Sequence, residues 1–314
     1  MKALLNKTLL FVLIALSISV LVIMILRKTC DKEKFFKLPS DVQVLFAGHS
    51  HVRLAVNDSL IKGAKNISEE GEAYIYTYQK LKQYLAYNPQ VKYVMLECTN
   101  NALSEYYDSR SWSEHFIKTK LPDYNLNLES EDFLCLFRKE PTTTLITFTI
   151  SARTQLEFLT DTAMSYPAYA EWHKHRHYKN SDVDSLLLRP KKDSLDRAAM
   201  KYSEHAGTYI RKIANLCKIK EVQLILMRSP IHERWEYRQN ENMFREQMQR
   251  QFSDLPFLDF GNRAFDNKEF RDLAHLNYLG ASHFSGILSG VLQNIELLHS
   301  QGYHDMSAPA DMIE

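Results

Sequence analysis

Cysteine is scarce in this sequence, and the few cysteines stand far apart. The chain has four, Cys30, Cys98, Cys135 and Cys217, and no Cys-x-x-Cys spacing occurs. A cysteine-rich structural zinc site and thioredoxin-type redox chemistry both need such close spacing, so the sequence supports neither. Scattered cysteines are compatible with disulfides in an oxidising compartment and equally with buried thiols in a reducing one.

The sequence also lacks an excess of charge of either sign. Its 39 Lys and Arg residues against 38 Asp and Glu residues give a net charge of +1. Proteins that bind nucleic acid through its phosphates normally carry a positive surplus, so we expect no nucleic-acid partner.

Repeats and low-complexity segments are absent too. With 314 residues, 45% of them hydrophobic, the chain can form one large α/β domain or one domain with a sizeable insertion.

One long apolar run stands near the N-terminus. Leu9–Leu26 is an uncharged run of 18 residues, long enough to cross a bilayer as a helix. A cleaved signal peptide has a shorter apolar region and small residues at its cleavage site, which Met24–Leu26 does not provide. A lipoprotein signal needs small residues before Cys30, where Arg27–Thr29 stands. The sequence therefore predicts an uncleaved single-pass anchor over residues 1–30, followed by a polar tether over 31–40.

The orientation of this anchor stays open at the level of sequence. Basic residues outnumber acidic ones just after the run, and this bias does not favour export of the C-terminal domain. The charges concerned are Arg27, Lys28, Lys32, Lys34 and Lys37 against Asp31 and Glu33.

Five apolar segments alternate with helical patterns and predict strands. Such alternation is typical of a parallel sheet covered by helices, so we expect a three-layer α/β/α sandwich with a mostly parallel sheet of about five strands. The predicted strands are Val42–Ala47, Lys65–Ile67, Lys92–Glu97, Glu221–Arg228 and Pro256–Phe260.

The alternation breaks down in the middle of the chain. From about Ala102 to Pro190 aromatic and charged residues mix without a clean strand–helix pattern. We interpret about 102–190 as an insertion or cap over the carboxyl edge of the sheet, inside a domain that spans 41–300. Residues 301–314 read as a polar, frayed tail.

The first predicted strand ends abruptly in Gly48-His49-Ser50. A hydroxyl at this position lies at the carboxyl edge of the sheet beside a helix N-terminus, where backbone N–H groups can receive negative charge. The same pattern is also common as an ordinary helix cap.

A second polar motif follows the last predicted strand. Asp272 and His275 stand three residues apart in a loop, so the carboxylate can reach the Nδ1 side of the imidazole. Nucleophilic catalysis by a serine needs a base and a partner that fixes the tautomer of this base. Because this loop and Ser50 both follow strands, they can meet at one sheet edge. The alternative is a solvent-facing histidine in a loop before a helix capped by Asn277.

At these motifs the chain resembles the SGNH (GDSL-like) hydrolases. Gly48-His49-Ser50 stands where that family has Gly-Asp-Ser, and Asp272-Leu-Ala-His275 matches its Asp-x-x-His block. Gly71 in Ser68-Glu-Glu-Gly71 matches the glycine of the second block, and Cys98-Thr-Asn-Asn101 stands in place of Gly-x-Asn-Asp, with Asn100 as the matching asparagine. The resemblance covers about Val42–Asn101 and Glu221–His299. More narrowly, the chain is similar to membrane-anchored SGNH-like proteins of bacterial envelopes that handle acyl groups on glycans.

The resemblance implies a role for each matched residue. Ser50 would be the nucleophile, His275 the general base and then acid, and Asp272 the orienting carboxylate. The backbone N–H groups of Ser50 and Gly71 and the side-chain amide of Asn100 would bind the oxyanion.

The function expected from these roles needs no cofactor. It is acyl-ester hydrolysis or O-acyl transfer on an envelope glycan or a similar acylated substrate. We expect the domain to be extracytoplasmic and able to act with a membrane-bound acyl-transfer partner. The substituted motifs keep one alternative open, a non-catalytic envelope protein that binds glycan or a membrane partner.

Several other residue groups could have functions, but simpler interpretations favour packing or exposure. His49 and His51 could bind a metal, yet no carboxylate or cysteine stands near them at a recognisable spacing, so we expect no metal site. The His-rich segment Trp172–Tyr178 reads as an exposed loop, and His232 as a substrate contact or a surface turn. Two aromatic groups could stack on sugars or pack in the core: Tyr74, Tyr76 and Tyr78, and Tyr106, Tyr107 and Trp112.

Overall fold

A computed structural model of the chain describes residues 1–29, 32–155, 183–189, 197–295 and 302–307. Within these ranges six strands form one sheet, in the order β2-β1-β3-β4-β5-β6, and every neighbouring pair is parallel. The strands are β1 (Val44–Ala47), β2 (Ala64–Asn66), β3 (Tyr93–Glu97), β4 (Gln223–Arg228), β5 (Phe257–Asp259) and β6 (Tyr303–Asp305).

Twelve α-helices are described around this sheet. They are α1 (Lys2–Thr29), α2 (Lys32–Phe36), α3 (Ser50–Ala55), α4 (Tyr74–Tyr87), α5 (Glu105–Ser111), α6 (Glu114–Tyr124), α7 (Ser130–Lys139), α8 (Pro141–Gln155), α9 (Val183–Leu188), α10 (Glu204–Ile219), α11 (Glu241–Phe252) and α12 (Tyr278–Gln293). The helices α5–α9 fall in the part of the chain predicted as an insertion.

Alternating side chains of the strands face two separate apolar cores. On β1, Leu45 and Ala47 belong to the core under α4, α10 and α11, whereas Val44 and Phe46 belong to the core under α3 and α12. This alternation follows from the two-residue period of a strand. It confirms the expected α/β architecture, with helices on both faces of a parallel sheet.

The sheet has six strands where about five were expected. The additional strand, β6, pairs with β5 at one edge of the sheet, inside the segment predicted as a frayed tail. Its residues Tyr303-His304-Asp305 lack an apolar alternation, so the sequence gives no strand signal. Backbone pairing and the hydrogen bond from the Tyr303 hydroxyl to Asp259 hold this strand in place.

The strand order creates a crevice between β1 and β3. The chain runs from β1 to β2 on one side of β1 and then returns to place β3 on the other side. In parallel sheets, connections that leave neighbouring strands in opposite directions open a crevice at the carboxyl edge, where ligands bind. The segments after β1 and β3 therefore flank the preferred binding position of this fold.

The N-terminal helix α1 is long and apolar enough to cross a membrane. Its candidate span, Asn6–Thr29, has a mean hydropathy of 3.2 over its most apolar window. The last turns also contact the rest of the protein, because Ile23 and Leu26 are buried in the core. Arg27 donates hydrogen bonds to the carbonyl oxygens of Asn125 (2.9 Å) and Leu128 (2.6 Å).

Candidate active site

Ser50 begins α3 directly after β1, and Gly48 makes the tight turn between them. Gly48 has a φ of +138°, and a Cβ at this position would lie 2.4 Å from the Cβ of Glu97. Both the backbone conformation and the close approach of β3 therefore require glycine. The Glu97 carboxylate accepts hydrogen bonds from the backbone N–H groups of His49 (2.9 Å) and Val52 (3.2 Å), which hold the turn that carries Ser50.

The structure places the Ser50 hydroxyl, the His275 imidazole and the Asp272 carboxylate within hydrogen-bond distance of one another in succession. Ser50 Oγ lies 2.8 Å from His275 Nε2. On the other side of the ring, His275 Nδ1 lies 2.8 Å from Asp272 Oδ1 and 3.0 Å from Oδ2. This is the nucleophile–base–carboxylate geometry that activates a serine.

The loop that carries Asp272 and His275 is fixed by its own hydrogen bonds. The N–H groups of Ala274 (2.8 Å) and His275 (3.0 Å) donate to Asp272 Oδ1, and the N–H of Arg271 donates to the His275 carbonyl (2.8 Å). Burial acts to raise the pKa of Asp272, but its hydrogen bond with His275 and the contributions of His275, Ala274 and Arg271 outweigh this and lower the pKa. Asp272 therefore remains an anion that can hold the imidazole.

A cavity of about 630 Å³ opens at this triad. Ser50, Asp272 and His275 line it from one side. The rest of the lining includes two carboxylates, Glu69 and Glu70, together with aromatic and cationic side chains such as Tyr106, Trp235, Tyr237, Arg110, Lys120 and Arg271. The Trp235 and Tyr237 ring centroids are 5.2 Å apart, which gives one wall of the cavity a continuous aromatic surface.

Of the predicted oxyanion donors, Gly71 lies at the cavity and Asn100 does not. Gly71 lines the cavity, with a φ of +66° that favours glycine. Asn100 is buried and is not among the described residues that line the cavity. The next residue, Asn101, lines the cavity instead. Its carboxamide oxygen accepts a hydrogen bond from the Thr99 hydroxyl (2.7 Å), so its amino group is the part that can serve as a donor.

Asn100 belongs to a buried ionic network around Arg228. Arg228 Nη1 donates to Asn100 Oδ1 (2.8 Å) and to Glu241 Oε2 (2.8 Å), while Asn100 Nδ2 donates to the same Glu241 oxygen (2.8 Å). Arg228 Nε also donates to Asp259 Oδ1 (2.7 Å). The sequence gives no signal for this network, because Arg228 is simply the last residue of an apolar strand and its partners lie far away in sequence.

Three buried ionisable side chains, His49, His51 and Glu97, lie directly behind Ser50. Burial, and then the charge of His275, lower the pKa of His49 to about 3. Burial, His275 and His49 also lower the pKa of His51. Burial raises the pKa of Glu97 to about 8, although the N–H groups of Val52 and His49 act in the opposite direction. The two imidazoles are therefore neutral at physiological pH.

The remaining candidates from the sequence lie in several places. His232 is buried in a separate cavity and its Nε2 lies 3.1 Å from Asn267 Oδ1. Tyr74, Tyr76 and Trp112 are buried in the core, whereas Tyr106 and Tyr107 line the cavity at Ser50. The segment Trp172–Tyr178 lies outside the described residues.

Comparisons with known proteins leave the family of this chain open. A protein-family model without a functional description matches residues 146–297. No curated protein matches the sequence. Among solved structures, the crystal structure of a "putative acylhydrolase" from Bacteroides fragilis NCTC 9343 is similar, with a TM-score of 0.39 and 9% identity over 87% of this chain and 97% of the other. This similarity is too distant to carry an argument about function.

Proposed function

We propose that the protein is a serine-dependent acyl-ester hydrolase or O-acyltransferase of the SGNH type. The observation that carries this proposal is the line from Ser50 Oγ through His275 to Asp272, with successive distances of 2.8 Å, at the wall of a cavity. A serine with a purely structural or surface role would not need an imidazole beside its hydroxyl and a carboxylate on the far side of that imidazole. Each group instead has the neighbour that acyl transfer needs.

The reaction follows from the positions of these atoms. Ser50 Oγ attacks the ester carbonyl carbon while its proton passes to His275 Nε2. The tetrahedral intermediate then collapses, the C–O bond to the leaving alcohol breaks, and His275 returns the proton to this alcohol. Water or a sugar hydroxyl attacks the acyl-Ser50 ester in the second half, again with His275 as base. Asp272 stabilises the imidazolium that forms in both halves.

For the oxyanion we propose the backbone N–H groups of Ser50 and Gly71 and the amide of Asn101. Asn101 takes the role that the resemblance gave to Asn100, because the Asn101 side chain lines the cavity and the Asn100 side chain binds Arg228 and Glu241. Donors aimed at the developing charge contribute strongly, since removal of one typically costs about 10²–10³ in turnover.

The lining of the cavity favours an acylated carbohydrate as the substrate. Aromatic faces such as those of Trp235 and Tyr237 can pack against the apolar faces of sugar rings, while the cations and the carboxylates of the lining can form hydrogen bonds with sugar hydroxyl groups. With α1 as a membrane anchor, we propose that the substrate is a glycan at the membrane surface. A membrane-bound acyl-transfer partner remains part of this proposal.

The test is ester turnover by the full-length protein in detergent. We expect wild type to hydrolyse p-nitrophenyl acetate and Ser50→Ala to lose this activity to the background rate. Ser282→Ala is the matched control, because Ser282 is exposed on α12 and its hydroxyl donates to the carbonyl oxygen of Tyr278 in the same helix (2.8 Å). Equal turnover in wild type and Ser50→Ala would end the proposal, and a wild type without turnover that still binds glycan would favour a non-catalytic binding protein.

A further inference from the structure

Three potential metal ligands meet in the interior directly behind Ser50. His49, His51 and Glu97 are all buried, and each offers one ligand atom such that these atoms lie within 4.8 Å of one another. His49 and His51 come from the turn after β1, and Glu97 is the last residue of β3. Because β1 and β3 are neighbours in the sheet, the fold supplies the carboxylate that the local sequence around the two histidines lacks.

One polar atom of each side chain in this group lacks a hydrogen-bond partner in the described part of the chain. In the part of the chain that the structure describes, His49 Nδ1, His51 Nδ1 and Glu97 Oε1 are buried and have no hydrogen-bond partner. An unsatisfied buried polar atom is costly, and most proteins avoid it. A single cation that accepts lone pairs from all three side chains would satisfy this need at one place.

The hydrogen bonds that do form, among them one between His49 Nε2 and the Thr99 hydroxyl (3.2 Å), leave one polar atom of each side chain available to a cation. Glu97 uses its other oxygen, Oε2, to accept the backbone N–H groups of His49 and Val52. This arrangement keeps Oε1 directed towards His49, whose Nε2 lies 3.5 Å away. Such fixation of a ligand carboxylate by outer hydrogen bonds is typical of metal sites.

The chemistry of the donors indicates which cation fits. Two imidazole nitrogens and one carboxylate are a common donor set for Zn²⁺, whereas Ca²⁺ and Mg²⁺ prefer oxygen donors. His51 also lines the cavity at Ser50, so a cation can reach the group from this side.

We propose that His49, His51 and Glu97 bind one divalent transition-metal cation, with Zn²⁺ the best fit. Two of the ligands directly flank Ser50 in sequence, and the third holds the turn through backbone N–H groups. The bound cation would therefore fix the position of the Ser50 hydroxyl relative to His275. This is a positioning role, and it does not depend on which acyl substrate the protein uses.

The test is metal stoichiometry, which needs no substrate. The full-length protein is stripped with a chelator, equilibrated with Zn²⁺ and desalted, and the bound zinc is measured by inductively coupled plasma mass spectrometry. We compare wild type with His51→Asn and Glu97→Gln. The control is His283→Asn, because His283 is an exposed histidine on α12 that pairs with Glu269 (2.8 Å) and is not one of the three proposed ligands.

We expect His51→Asn and Glu97→Gln each to bind one equivalent of zinc less than wild type, while His283→Asn retains the wild-type value. A difference of one equivalent separates this group from any zinc bound by His173, His175 and His177. Thermal melting should show the same pattern, with a zinc-dependent rise in the midpoint that His51→Asn loses. A wild type without bound zinc, or a zinc stoichiometry unchanged in His51→Asn, overturns the proposal. Because His51→Asn is tested separately, the experiment stays decisive if Glu97→Gln fails to fold.

Discussion

Ser50 Oγ and His275 Nε2 lie 2.8 Å apart although 225 residues separate them in the chain. One residue follows the first strand of the sheet, and the other precedes its last described helix, α12. Their contact exists because parallel strands deliver successive loops to the same edge of the sheet.

Asp272→Asn should reduce turnover while the fold is kept. An asparagine can still accept the N–H groups of Ala274 and His275, but it no longer stabilises the imidazolium and can favour the wrong tautomer of His275. We expect kcat to fall by roughly 10³–10⁴ with little change in KM. Steady-state kinetics at several substrate concentrations measure this, with near-ultraviolet circular dichroism as the check on folding. A fall in kcat of less than about tenfold would contradict the assigned role.

Substitution of Asn101 should lower turnover, whereas substitution of its neighbour Asn100 should lower stability. Asn101→Ala removes the amide at the cavity, so we expect turnover to fall by about 10²–10³ and the melting temperature to stay close to wild type. Asn100→Ala removes one hydrogen-bond partner from buried Arg228 and one from Glu241, so it should lower the free energy of unfolding by about 1–3 kcal/mol. Paired kinetic and urea-unfolding measurements on both variants decide the matter. The reverse pattern would restore Asn100 as the oxyanion donor.

The carboxyl group of Glu241 should make the protein sensitive to acid. Burial acts to raise its pKa, but the hydrogen bonds and charge of Arg228 outweigh this and lower the pKa to about 2. A carboxyl with a lowered folded-state pKa stabilises the protein above its unfolded pKa and loses this contribution as the pH falls through the folded value. We therefore expect the free energy of unfolding to decline between about pH 4.5 and pH 2.

Glu241→Gln should flatten this decline, which urea titrations at a series of pH values can measure. Glu246→Gln is the control, because Glu246 lies on the same helix α11 but is exposed and contacts Arg250 only at 3.8 Å. The same acid dependence in wild type and Glu241→Gln would show that the Arg228 network does not carry the effect.

The strand-end loops were predictable, and the turns inside them were not. Ser50, Asp272 and His275 could be placed because the apolar strands before them fix where each loop starts. The choice between Asn100 and Asn101 depends on the backbone turn after β3, which rotates one side chain towards Arg228 and the next towards the cavity. Glu97 gave no signal, because its role depends on the pairing of β3 with β1, and the sequence predicts both strands but not which strands are neighbours. The strand β6 was missed because backbone pairing, and not an apolar pattern, forms it.

The two ends of α1 should differ in their effect on stability. Removal of residues 1–20 deletes mainly exposed apolar residues, so we expect a folded domain that no longer needs detergent. Removal of residues 1–28 also deletes the buried Ile23 and Leu26 and the Arg27 hydrogen bonds. Loss of buried aliphatic side chains of this size typically costs about 2–5 kcal/mol. Equal melting temperatures of the two truncated proteins would show that the end of α1 does not contribute to the core.

The formation of a covalent bond at Ser50 is the most direct test of the central claim. The full-length protein is treated with a fluorophosphonate probe, digested, and mapped by peptide mass spectrometry. The account predicts the label on Ser50 alone, with labelling lost in Ser50→Ala and strongly slowed in His275→Ala, because the imidazole that activates the hydroxyl is then missing. A wild type that stays unlabelled, or a label that persists in Ser50→Ala, would contradict it.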